Sequence, residues 1–435
     1  MNYQQFETPL NNVQNKFIQG LRRIMKINSV KGPAAPGAPF GLGPKKALTE
    51  TLELAKELGF KTMIINDAMG YAQLGDDNEN YIGVVGHLDV VHEGTDWDYP
   101  PFDLTLDNEV FYGRGVLDNK GPIIANLYAL YVIKEMNLPL TKTIRIIFGT
   151  DEESGSLDIP MYLKKEKPPI YGYTPDCKYP AVYGERGVLG VQITTEVTDL
   201  SQSVLSHFEG NFDRSAIPDT LSYTISGSNY SIKGKRAPSN APDMGKNVIT
   251  LFAEAVREMP QITGEFKNYL TWLASSLHDK HDGSGLGINF YDEESGYLAL
   301  TPYELLFNEN QITLNISMRY PVSIKKEDIL TQLSQHLPEH SQVTVTRDMP
   351  STYFDKHHPM VQTMTVVYEY ATGLDGTPVT TTGATYARSM PNIIAFGPSF
   401  PGQKGIAHNK NEYMDKKDLM KNLEIYTYLL AELGK

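Results

Sequence analysis

The order of apolar and polar positions divides the 435-residue chain into runs of two periods. Apolar residues recur at helical spacing over 12–27 and again over 47–58, where Gly59 stops the run, and both stretches predict helices. Short apolar runs at 61–65, 81–86 and 143–149 predict strands, the last two of the fully buried kind. Between them, 122–136 carries a strong helical pattern with its proline at the start, where a missing N–H is tolerated. Strand, loop, helix, strand is the α/β pattern of a mostly parallel sheet flanked by helices.

The character changes near Gly184-Glu185-Arg186-Gly187. Alternation predicts strands at 188–197, 221–233, 311–319 and 342–347, with helices at 247–258 and 326–336. After about residue 351 the chain returns to helix, strand, helix, with the strand at 393–396. The reading is an α/β domain built from 1–183 and 351–435, with an α+β domain, 184–350, inserted in it. The Pro/Gly-rich stretch from Gly32 to Gly41 predicts an irregular surface loop rather than an interdomain linker.

Composition narrows the function. A formal net charge of −13 argues against nucleic acid or an anionic membrane as the main partner. The single cysteine, Cys177, excludes an intramolecular disulfide and fits a reducing compartment. No apolar run reaches 18 residues and the first 25 residues lack an apolar signal core, so a cytoplasmic protein is expected.

Three predicted strands end at a histidine or carboxylate cluster beside glycine. These are Gly86-His87-Leu88-Asp89, the segment Gly113-Arg114-Gly115-Val116-Leu117-Asp118-Asn119-Lys120-Gly121 that follows a short apolar run, and Thr150-Asp151-Glu152-Glu153-Ser154-Gly155. Strand ends in open α/β sheets are where ligands and metals sit. His87, Asp118, Glu153, Asp176 and His408 form a mixed imidazole and carboxylate set that suits divalent ions such as zinc, manganese or cobalt. Adjacent side chains diverge, so Glu152 and Glu153 split most simply into a general base and a ligand. Asp89 is placed to hold the far ring nitrogen of His87.

These motifs, with Thr174-Pro175-Asp176, resemble in order the di-zinc metallopeptidases that include ArgE, DapE, aminoacylase and bacterial carboxypeptidase G. Tyr183-Gly184-Glu185-Arg186-Gly187, Asn315-Ile316-Ser317-Met318-Arg319-Tyr320-Pro321 and Ala407-His408-Asn409-Lys410-Asn411-Glu412-Tyr413 extend the resemblance to the PepV-type dipeptidases over nearly the whole chain. The resemblance implies a metallopeptidase catalytic domain with an inserted lid, and a monomer acting on small peptides. It implies two divalent ions, with zinc the first expectation. Asp118 would bridge them, with Glu153 and His408 completing one site and His87 and Asp176 the other. It makes Glu152 the general base and Asp89 the orienter of His87, and it implies a cis peptide at Asp118–Asn119. Arg319 would clamp a substrate carboxylate, the fork geometry of guanidinium matching that group.

Two segments depart from the family pattern. Gly234-Lys235-Arg236-Ala237-Pro238-Ser239-Asn240 has Pro238 where the family's lid histidine helps hold the oxyanion, and proline offers no donor. Asn240, His207, His278 and His281 are the open candidates to replace it. Thr382-Gly383-Ala384-Thr385-Tyr386 keeps only Gly383 of three glycines, a position that permits close backbone approach to substrate. Two alternatives therefore stand beside the dipeptidase: a deacylase or desuccinylase acting on N-acyl amino acids, and a metal-binding homologue with little catalysis.

Overall fold

The runs from Tyr81 to His87 and from Thr143 to Gly149 are buried at every position, as strands are when both sheet faces are covered. In the computed structural model, which describes residues 2–200 and 204–435, they pair in parallel with His87 opposite Gly149. Tyr171–Thr174 lies parallel on the other side of Tyr81–His87, and Ile393–Ala395 continues the parallel set. Beyond these strands the direction reverses. Met69–Leu74 and Lys61–Ile65 add antiparallel strands at one edge, and Val182 pairs antiparallel with Ala395 at the other. The sheet is thus mixed, with a parallel centre. Met69–Leu74 escapes a sequence reading because its apolar positions do not alternate and it contains Gly70.

The chain forms two compact units: Met1–Tyr183 with Phe354–Val379 and Gly383–Lys435, and Gly184–Tyr353 with Thr380–Thr382. In the first, the helix Lys120–Glu135 is buried almost all round. It packs against the helix Glu7–Met25, which buries Leu10, Val13, Phe17, Leu21 and Ile24 along one face, and against the last helix, Lys416–Leu433. Gly20 permits the first of these contacts, because a Cβ there would lie 2.2 Å from the Tyr128 hydroxyl. The helices Glu7–Met25 and Leu42–Glu57 begin about five residues upstream of the apolar pattern. Their first turns hold Pro9 and Pro44, where an absent N–H has no intrahelical partner to lose.

The second unit has a four-stranded antiparallel sheet in the order Ala299–Asn308, Gln311–Tyr320, Gly187–Glu196, Ser341–Met349. Leu189, Val191 and Ile193 on its central strand share a core with Phe252 and Leu270 from the helices Val248–Val256 and Gly264–Leu277. The single strand expected over 221–233 is a hairpin, Thr220–Ile225 and Ser228–Lys233. Ser226 and Gly227, at φ 49° and 79°, form the two-residue turn that the twist of a hairpin favours. Among the described residues no helix is long and apolar enough to cross a membrane.

Candidate metal centre

The parallel strands deliver their C-terminal ends to one edge of the first unit, and His87, Glu152, Glu153 and Asp176 follow those ends. His87 is the last residue of Tyr81–His87. Glu152 and Glu153 form one helical turn just past Thr143–Gly149, and Asp176 lies two residues beyond Tyr171–Thr174. Asp118 precedes the helix Lys120–Glu135, after a peptide path through Gly115 at φ 94°. The Asp118–Asn119 peptide is cis.

Asp118 sits between the two histidines. Its Oδ1 is 3.0 Å from His87 Nε2 and its Oδ2 is 3.0 Å from His408 Nε2. Glu153 Oε2 lies 3.1 Å from His408 Nε2, and Asp176 Oδ2 lies 3.4 Å from His87 Nε2. Potential ligand atoms of His87, Glu152 and Asp176 fall within 4.8 Å of one another, as do those of His87, Asp118 and Glu153. The structure thus brings all six residues to one place. His87 is fully buried, whereas the His408 side chain is 55% exposed and lies on the open side of the cluster. His408 holds a left-handed backbone, φ 64°, which is uncommon for a residue with a Cβ.

Polar groups hold this arrangement from behind. His87 Nδ1 lies 2.9 Å from the backbone carbonyl of Asp89 and 3.5 Å from its carboxylate. The Asp89 carboxylate instead accepts the N–H groups of Glu152 and Glu153, at 3.3 and 3.2 Å. The expected contact of the Asp89 carboxylate with His87 is therefore the longer one, and its main hold is on the turn that carries both glutamates. Asn119 accepts the His87 N–H at 3.3 Å and donates to the Pro175 carbonyl at 2.6 Å, linking the ends of two strands. Gly86 makes room for it, since a Cβ there would stand 2.5 Å from Asn119 Oδ1. Asp158, wholly buried, accepts the N–H groups of Thr150 and Asp151 and the Tyr386 hydroxyl. Lys31 meets Asp151 at 2.6 Å. Glu412 accepts four hydrogen bonds from the Asp118 loop and its Arg114.

The electrostatics are those of an overfull carboxylate site. Burial, then the neighbouring Asp118, raises Asp176 to about 7 and raises Glu153. Burial, then Asp176, pushes Glu152 well above the usual range. Hydrogen bonds to Asp118 and Glu153 raise His408 to about 11. Burial works against the Asp118 carboxylate, yet the His408 and His87 rings outweigh it and hold that carboxyl far down. Four carboxylates around two imidazoles leave negative charge that two divalent cations would neutralise, so the donor set fits two such ions.

The remaining predicted residues are placed as follows. Arg319 lies on the strand Gln311–Tyr320 of the second unit, its Nη1 3.3 Å from both Ser317 Oγ and the Met318 carbonyl. Asn240, in the same unit, donates to Thr382 Oγ1 at 3.4 Å. The Gly383 carbonyl, in the first unit, accepts from Arg388 at 3.2 Å. His207 lies 3.2 Å from Ser222 Oγ and His278 3.2 Å from Thr250 Oγ1, and the His281 carbonyl accepts the Leu300 N–H at 2.8 Å. Asp158, Lys31 and Glu412 were given no role by the sequence. Asp158 and Lys31 sit in no motif that marks them, and Glu412 stands in the His408 motif as one more polar residue.

The model of peptidase family M20/M25/M40 matches residues 83–432. Putative dipeptidase YtjP of Bacillus subtilis is 31% identical over 453 residues, covering 96% of this chain and 97% of that protein. Human carnosine dipeptidase 1 has the same fold, with a TM-score of 0.63 at 14% identity over 100% of this chain and 99% of its own. The YXEP protein of Bacillus subtilis, described as a dinuclear metal binding peptidase, aligns with a TM-score of 0.57 at 9% identity over 98% and 99% of the two chains.

Proposed function

The chain belongs to peptidase family M20/M25/M40, and we propose that it is a metal-dependent dipeptidase whose chemistry takes place around Asp118. The observation that carries this reading is the placement of the two Asp118 oxygens, each 3.0 Å from a different histidine, with the Glu152–Glu153 turn alongside. We assign Asp118, Glu153 and His408 to one ion and Asp118, His87 and Asp176 to the other. Zinc is the first candidate, with manganese and cobalt compatible with the same donors.

Two divalent ions bound there would polarise a peptide carbonyl and lower the pKa of an attacking water. Glu152 serves as the base. Its carboxylate shares one place with His87 and Asp176, their candidate ligand atoms within 4.8 Å of one another, and from there it takes the proton of the attacking water and delivers it to the leaving amine. Asp89 fixes this base through the backbone N–H groups of residues 152 and 153. Asn119 and the Asp89 carbonyl fix His87. Arg319, Asn240 and Gly383 are assigned to substrate binding, Arg319 to the substrate carboxylate, and the Gly184–Tyr353 unit to the role of lid. We keep a cytoplasmic monomer as the working form: the monomer follows the resemblance to the PepV-type dipeptidases, and the single cysteine fits a reducing compartment.

The test compares free dipeptides with N-acyl and N-succinyl amino acids on one metal-loaded preparation. A dipeptidase turns over the former and needs the free amino terminus. Preference for the blocked substrates would make it a deacylase or desuccinylase. Stoichiometric metal with no turnover on either set would make it a binding homologue.

A further inference from the structure

Glu412 lies outside the ligand set, and its carboxylate is fully buried. Both oxygens are saturated. Oε1 accepts the N–H groups of Leu117 and Asp118 at 2.9 and 3.0 Å, and Oε2 accepts Gly115 N–H at 3.0 Å and Arg114 Nη1 at 2.8 Å. Four donors match the four lone-pair directions of a carboxylate. The Glu412 carbonyl takes a further N–H, that of Gly113, at 3.0 Å.

Register explains how one side chain reaches so much of the loop. The strand Tyr413–Asp415 pairs antiparallel with Val110–Tyr112, Tyr413 opposite Tyr112, so Glu412 necessarily faces the residue that follows Tyr112. His408 stands four residues upstream on the same segment. That segment is tied down independently, because Asn411 donates to Asp98 Oδ2 at 2.6 Å and accepts the Asp98 N–H at 2.9 Å. Arg114, pinned by Glu412, also donates to the His92 and Glu93 carbonyls and lies 5.2 Å from the Trp97 ring centre.

We propose that Glu412 is the positioning residue of the two-ion centre: it holds the backbone of Asp118 and the segment carrying His408 in the separation that lets both coordinate. The inference rests on the two-ion assignment above. Groups behind metal ligands are typically worth about 10–100-fold in metal affinity or activity when removed. Glutamine at 412 would turn one of the two oxygens into a donor facing N–H groups, so two of the four bonds are lost and the loop is pushed away. Aspartate keeps the charge and loses the reach.

The experiment measures zinc affinity and stoichiometry by competition with a chromophoric chelator on the metal-stripped full chain, for wild type, Glu412→Gln and Glu412→Asp, with circular dichroism to confirm the fold. The expected result is two zinc ions per wild-type chain and a loss of about 10-fold or more in affinity in each folded variant. Wild-type affinity in a folded variant would overturn the inference, since a purely structural role lowers thermal stability without weakening the metal. Fewer than two ions on the wild type would instead overturn the two-ion assignment, and the inference with it. Should neither variant fold, amide exchange on metal-stripped wild type decides: slow exchange at Gly115, Leu117 and Asp118 supports the clamp, and exchange at the rate of an exposed loop overturns it.

Discussion

Asp89 and Glu152 meet through the backbone. Asp89 Oδ1 accepts the Glu152 N–H at 3.3 Å, while the carbonyl of the same aspartate lies 2.9 Å from His87 Nδ1. One residue therefore holds a proposed metal ligand with its main chain and the proposed general base with its side chain. Asp89→Asn keeps the carbonyl and loses one of two acceptors for the turn. Its kcat should fall about 10–100-fold, with KM changing much less. Steady-state kinetics on a good dipeptide substrate check this, and an unchanged kcat would place the orientation of Glu152 elsewhere.

Glu152→Gln should abolish hydrolysis while leaving the metal content near wild type, because general acid–base groups are worth about 10²–10⁴-fold. Metal analysis and activity are measured on the same sample. Retention of more than about a tenth of the activity would remove Glu152 from the role of base.

Asp158 predicts a pH-dependent stability. Burial is the main cause that raises its carboxyl from 3.8 to about 7, with Asp89 adding to it, although the Tyr386 hydroxyl and the Thr150 N–H pull the other way. Between those two values the folded chain keeps a proton that the unfolded chain has lost. Stability from this group is thus full below about pH 4 and falls as pH rises towards 7, by roughly 4 kcal/mol in all. Asp158→Asn does not titrate, and its Oδ1 still accepts from Thr150 and Asp151. Thermal melts of metal-stripped protein should show a smaller fall between pH 4 and 7 for the variant than for wild type. Parallel curves would contradict the assignment.

Much of the site was legible before the fold. His87, Glu153 and Asp176 follow strand ends, and Asp118 and His408 sit in glycine-bearing turns, so local order marked all five as candidate ligands. The supports were not legible, because they act across the chain. Glu412 grips Leu117 across 295 positions, and Tyr386 reaches Asp158 across 228. Neither residue carries a local pattern that distinguishes it from an ordinary polar or aromatic one. In the fold, buried runs gave away the parallel centre of the sheet, while Met69–Leu74 and the Ser226-Gly227 turn depend on pairing partners that periodicity does not name.

Pro238 is exposed, and its carbonyl accepts the Ala241 N–H at 3.0 Å. A histidine at this exposed position offers the side-chain donor that proline lacks, a donor type worth about 10²–10³-fold where it touches an oxyanion. Pro238→His should raise kcat on dipeptides. Equal or lower turnover would mean that another group, Asn240 first, already fills that place.

The most direct test of the central claim is metal reconstitution against a dipeptide panel. The chain is stripped of metal and then given zinc, manganese or cobalt in turn. Hydrolysis that is absent without metal, returns at two ions per chain and requires a free amino terminus is the predicted result. Full hydrolysis by the stripped chain, or two bound ions with no turnover on any dipeptide, would contradict a metal-dependent dipeptidase centred on Asp118.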